Sequence, residues 1–95
     1  MIVVKVRKEE IQVCGHAGYA EIGKDIVCAG VSTLVVNLVN SIHSLTEDDP
    51  VFTMESGNFY MEIRNLSERT RTLIDSFFIG VCEIASNYPE YVRII

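Results

Sequence analysis

Basic residues are in short supply: eight Lys and Arg stand against thirteen Asp and Glu, for a formal charge of −5. The chain therefore lacks the positive footprint that DNA or RNA phosphates demand, and nucleic acid is excluded as a direct ligand. Cysteine is sparse too. Cys14, Cys28 and Cys82 are an odd number without a C-x-x-C pair, which excludes a disulfide framework and a paired-cysteine zinc site, and makes a reducing cytoplasm the expected compartment. Two histidines far apart, with no HExxH spacing, offer no metal site, and no cofactor is expected. The opening MIVVKVRKEE lacks the apolar core of an export signal. The longest apolar stretch, Ile26 to Leu45, is broken by Ser32, Thr33, Asn37, Asn40, Ser41 and His43 at mostly helical spacing, so it reads as an amphipathic helix rather than a membrane span. Only two prolines, no repeat and no low-complexity tract leave one domain over residues 1–95.

What is present is apolar patterning. Hydrophobic residues make up 48% of a short chain, and a core this small favours hiding further apolar surface in a second copy, so a homodimer is expected. Ile2, Val4 and Val6 alternate with Val3, Lys5 and Arg7, the period of a half-buried strand, and Ile11 to Ala17 continues it as a hairpin turning at Lys8 to Glu10. GHAGYAEIG, residues 15–23, carries three glycines and reads as a loop. Asp25 has the chemistry of an N-cap for a helix running to about Leu45, with Cys28 as its third residue. Val27, Val31, Leu34, Val35, Leu38, Ile42 and Leu45 gather on one side of that helix.

Val51 to Glu55 and Phe59 to Arg64 flank Ser56-Gly57-Asn58 as a second hairpin. Ser67 opens a second helix reaching Asn87 before Pro89, with Leu73, Phe77, Gly80, Val81, Ile84 and Ala85 on its apolar side. Tyr91 to Ile95 reads as a last strand. The order ββαββαβ predicts an α+β fold, a mainly antiparallel sheet with two amphipathic helices packed on it.

One Cys/His pairing falls at a loop followed by a helix start. His16 ends a strand, and Cys28 lies twelve positions later in the first helical turn. Free N–H groups and the helix dipole at that end favour an anion and hence thiolate over thiol. A nearby imidazole would stabilise the thiolate further and could hand its proton to a leaving amine, the two-group logic of cysteine proteases. The amides of Cys28 and Ala29 in that first turn are the expected receivers of an oxyanion. Asp25 could orient the imidazole as well as cap the helix. The loop glycines would let the segment close over substrate. Cys14 shares a strand with His16 and is expected to face the same way, Cys82 is expected in the core, and His43 reads as a structural residue near a helix end with no acidic neighbour in evidence.

Gly15-His16-Ala17, followed by Tyr19, Gly23 and then Asp25-Ile26-Val27-Cys28-Ala29-Gly30-Val31-Ser32, closely resembles the Prp (YsxB-like) ribosomal-processing cysteine proteases. The GHA…G-x-DIVCAG pattern is specific, and the remaining layout of the chain agrees. The resemblance implies a small homodimeric α+β endopeptidase that removes a short N-terminal extension from the large-subunit ribosomal protein bL27. It maps the catalytic pair onto His16 and Cys28, makes Asp25 a supporting residue, and makes Gly15, Ala17, Gly18, Tyr19 and Gly23 part of the substrate loop.

Two other readings compete. A non-catalytic dimeric adaptor for a ribosomal protein or assembly factor would leave Cys28 as a cap-edge residue with an unreactive thiol. Thiol-transfer chemistry would need Cys14 as a resolving partner for Cys28.

Overall fold

A computed structural model describes residues 1–95. The alternating N-terminal segment forms β1 (Ile2–Val6) and β2 (Glu10–Cys14), antiparallel with Val4 opposite Val13 and Val6 opposite Ile11. The period-two pattern decides the faces: Ile2, Val4, Ile11 and Val13 are buried, and none of the residues alternating with them is.

Asp25 caps α1 (Ile26–Leu45), its side chain accepting from the N–H groups of Val27 and Cys28. The buried stripe is Val27, Val31, Val35, Leu38, Val39 and Ile42. Leu45, expected on that stripe, is exposed, because the helix ends there and the chain turns away at Thr46. By length and composition α1 could cross a membrane, but its apolar stripe is buried against the other elements.

The second hairpin is β3 (Phe52–Glu55) and β4 (Asn58–Glu62), joined by the two-residue turn Ser56-Gly57. The second helix, α2 (Glu68–Asn87), starts where Ser67 accepts from the N–H of Thr70. It buries Thr70, Ile74, Phe77 and Val81. Cys82, expected in the core, is half-buried, since it lies a third of a turn round from the buried Val81. The final strand, β5, is Val92–Ile94.

The five strands lie in the order β3-β4-β2-β1-β5. Three pairings are antiparallel, and β5 runs parallel to β1, with Ile2 opposite Val92. The sheet is therefore mixed, the α+β class and the order ββαββαβ being as the sequence predicts. Both helices bury their apolar sides with one sheet face in a single core. They also meet each other at two glycines: a Cβ on Gly80 would lie 3.0 Å from both Leu34 methyl groups, and one on Gly30 3.2 Å from Ile84 Cδ1. This close approach fixes where the N-terminus of α1, and with it Cys28, sits against the sheet.

The link between α1 and β3 is tied down by polar contacts. Asp48 accepts from Ser67 N–H at 2.9 Å and from the hydroxyls of Ser67 and the fully buried Thr70. The Ser67 hydroxyl foremost, then that of Thr70, holds the Asp48 carboxyl below the usual range. His43, for which the sequence showed no acidic partner, has its Nε2 3.4 Å from Asp49 Oδ1. The five residues between them in the chain are brought back on themselves by this link.

Candidate active site

The site is assembled at one end of α1. β2 ends at Cys14, and Gly15 follows at a φ of +100°, in the half of conformational space that favours glycine. A side chain there would collide with the Met1 carbonyl. This kink breaks the strand alternation, so Cys14 and His16 part company. Cys14 stays on the open sheet face, where its thiol donates to Asn58 Oδ1 at 3.3 Å. His16 turns into the cleft at the start of α1. The expectation that both face the same way is corrected, and the thiol-transfer reading loses its resolving partner: the sheet stands between Cys14 and Cys28.

Cys28 is half-buried. The N–H of Ala17, the residue after His16, donates to its Sγ at 3.2 Å. His16 and Cys28 line the same two cavities, and so do Ser32 and Ser56. One cavity, of about 380 Å³, is largely apolar, walled by Val31, Val35, Met54 and Phe59 among others. The other, of about 610 Å³, lies toward the 18–26 segment, with Gly18, Ile22, Lys24 and Ala29 in its wall. The two cavities meet at His16, Cys28, Ser32 and Ser56. The His16 imidazole rests against Gly57 of the β3–β4 turn and makes no hydrogen bond to the sulfur in this arrangement.

Asp25 does more than cap. Its Oδ1 accepts from Val27 N–H at 3.0 Å and Cys28 N–H at 2.9 Å, while Oδ2 accepts from Tyr19 N–H at 3.0 Å and Ala20 N–H at 3.4 Å. One carboxylate thus pins the loop to the helix start. The Cys28 N–H foremost, against some desolvation and with help from the Ala20 and Tyr19 N–H groups, holds its carboxyl below the ordinary range.

That arrangement engages both expected oxyanion donors. The Cys28 N–H is given to Asp25 Oδ1 and the Ala29 N–H to the Asp25 carbonyl at 3.0 Å, so both amides are engaged by the cap itself. The amide aimed at the sulfur comes from the loop, at Ala17. The substrate loop is also divided. Gly15, Gly18 and Gly23 line the cavities. Ala17 is buried in the core, and the Tyr19 ring stands edge-on to Tyr88 and Tyr91, with centroids 5.6 and 5.2 Å away. Neither lines the cavities: the Ala17 methyl is buried in the core, and the Tyr19 ring, though still exposed, is drawn to the edges of the two tyrosines. Sequence reasoning missed Ser32, Ser56, Gly57 and the tyrosine pair. The only signal for the last was the clustering of aromatics at the chain's end.

A half-buried thiol in the first turn of a long helix, with an imidazole lining the same two cavities, is the arrangement of a thiol-dependent hydrolase. Comparison with known proteins gives the family. The family model for cysteine protease Prp matches residues 1–93, and the chain belongs to that family. It is 29% identical over 90 residues to the ribosomal processing cysteine protease Prp of Bacillus subtilis, covering 87% of this chain and 80% of that protein. The Staphylococcus aureus protein of the same name is 29% identical over 83 residues, covering 84% and 78%. Among solved structures, the essential S. aureus ribosomal processing protease Prp in complex with a covalently linked product peptide superposes with a TM-score of 0.91 at 27% identity, over 99% of this chain and 97% of that one. SMU.848 from Streptococcus mutans superposes with a TM-score of 0.78 at 33% identity, over 99% and 91%. The protein is a cysteine protease, and the adaptor reading gives way.

Proposed function

We propose that this protease uses His16 and Cys28 as a catalytic pair to remove a short N-terminal extension from ribosomal protein bL27. The observation that carries the reading is the Ala17 N–H···Sγ Cys28 contact of 3.2 Å at the junction of two cavities that His16 also lines. It places an amide donor beside the sulfur. The S. aureus relative, solved with a covalently linked product peptide, supports covalent catalysis, and the names of the relatives support a ribosomal protein as substrate.

In this mechanism the Cys28 thiolate attacks the scissile carbonyl, and the His16 imidazole, seated against Gly57, holds the thiol proton and delivers it to the leaving amine. Water then releases the acyl group from sulfur. The Ala17 N–H, relieved of the thiolate as the C–S bond forms, is the donor nearest the developing oxyanion. Asp25 acts through the backbone, keeping both the loop and the helix start in register.

A homodimer in the cytoplasm belongs to the same proposal. Ile26, Val36, Val51 and Ile79 are large apolar side chains left exposed on a small molecule, and three unpaired thiols suit a reducing compartment.

Incubating the protein with full-length bL27 from the same organism, and following products by mass spectrometry, tests the reading. Wild type is expected to release the N-terminal segment, and Cys28→Ala and His16→Ala to leave the precursor whole. An uncut precursor with wild type removes the substrate assignment. Cleavage by Cys28→Ala at the wild-type rate removes the mechanism.

A further inference from the structure

Gly57 sits at the second position of the β3–β4 turn with a φ of +74°. Turn geometry alone would accept glycine or asparagine there. A second constraint comes from outside the hairpin. A Cβ built on Gly57 would lie 2.7 Å from His16 Nε2, 3.1 Å from Cε1 and 3.4 Å from Cδ2. The same residue's carbonyl accepts the Gly15 N–H at 2.9 Å, so the turn is tied to the strand end that delivers His16. Ser56, its neighbour, lines both cavities.

We infer that Gly57 is the positioning residue of the proposed catalytic histidine: its bare α-carbon is the seat on which the His16 imidazole lies. The inference rests on the catalytic reading of His16 and extends it to a residue 41 positions away. An L side chain at 57 must push the ring aside, since ordinary Cβ contacts begin near 3.4 Å. The imidazole is the movable partner, because it is exposed while the turn is held by the Gly15 bond and the β3–β4 ladder. Displacements of this order in a proton-transfer group cost up to about 100-fold in rate.

The test compares Gly57→Asn, which keeps the left-handed turn but adds the Cβ, with Gly57→D-Ala made by chemical synthesis of the chain. The D-residue prefers positive φ and places its methyl along the other Cα–H direction, not at the L-Cβ position that meets the ring. Each is measured for kcat and KM on a peptide spanning the processed site, for the pH profile of kcat/KM, and for the His16 ring signals by NMR, with His43 as internal reference. Gly57→Asn is expected to lower kcat by about 10- to 100-fold with little change in KM, to shift the pH profile, and to move the His16 signals while His43 stays. Gly57→D-Ala is expected to stay close to wild type on all three. Wild-type kcat and unmoved His16 signals in Gly57→Asn overturn the inference, as does equal loss in both variants. A parallel His16→Ala arm separates the two claims: if it keeps full activity, the catalytic reading falls; if it is inactive and Gly57→Asn is not, the seat alone falls.

Discussion

The ring of Tyr19 stands edge-on to that of Tyr91 at a centroid distance of 5.2 Å, so the loop that carries the candidate histidine is anchored to the far end of the chain. A second edge-on contact to Tyr88 completes the cluster, and the Asp25 carboxylate holds the backbone of the same loop from the other side. Only the stretch around Ile22, which is fully exposed, lacks such ties.

Removing the anchor is expected to loosen the loop without touching the thiol. Each ring pair contributes about 1 kcal/mol beyond its buried area, so Tyr91→Ala should speed amide exchange across residues 17–24 and raise KM, and Tyr91→Phe should restore both. Hydrogen exchange read by mass spectrometry checks this; unchanged protection in Tyr91→Ala would show that the cluster holds nothing.

The depressed carboxyls of Asp25 and Asp48 set the response to acid. Each is held lower in the folded protein than the ordinary value near 3.9 for an unfolded chain, so its contribution is present above that value and drains away as pH falls through the lower folded one. Thermal melts from about pH 6 to about pH 2 should show wild type losing stability on the acid side. Asp25→Asn and Asp48→Asn should each start less stable at neutral pH and show a shallower acid slope. A variant with the wild-type slope would mean its carboxylate contributes nothing through these bonds.

Helix contact at Gly80 admits little extra volume, with both Leu34 methyls 3.0 Å from where a Cβ would sit. Gly80→Val is expected to destabilise the fold by about 1–3 kcal/mol through overpacking. Urea unfolding measures it, and a midpoint at or above wild type would contradict the close approach.

Cys14 and Cys28 occupy opposite sides of the sheet. Cys14→Ser should therefore process substrate at the wild-type rate, and mild oxidation of wild type should yield no intramolecular Cys14–Cys28 disulfide on peptide mapping. Finding that bridge in folded protein would refute the placement of Cys14 on the open face.

Much of this molecule is legible in its residues, for physical reasons that differ by element. Strand alternation in Ile2-Val4 and in Phe59-Met61-Ile63, the cap at Asp25, the stop before Pro89 and the glycine at the Ser56-Gly57 turn are local, and their signals lie within a few positions. The motif around His16 and Cys28 pointed to the cleft in which both side chains stand. Less visible was the direction of Cys14, because the kink at Gly15 interrupts the period of two on which that expectation relied. Nor was it visible that the side-chain cap which makes the helix begin at Ile26 engages the N–H of Cys28, one of the expected oxyanion donors.

The elements, their order, most of the buried positions and the pairing of a thiol with a helix start follow from the residues alone, since each depends on neighbours a turn or a strand residue away. Tertiary structure alone decided that β5 runs parallel to β1, that Tyr19 meets Tyr88 and Tyr91, that Ala17 supplies the amide beside the sulfur, and that His16 lies on Gly57. These are contacts between segments far apart in the chain, chosen by how the whole core closes, and no local spacing encodes which distant surface a side chain will find.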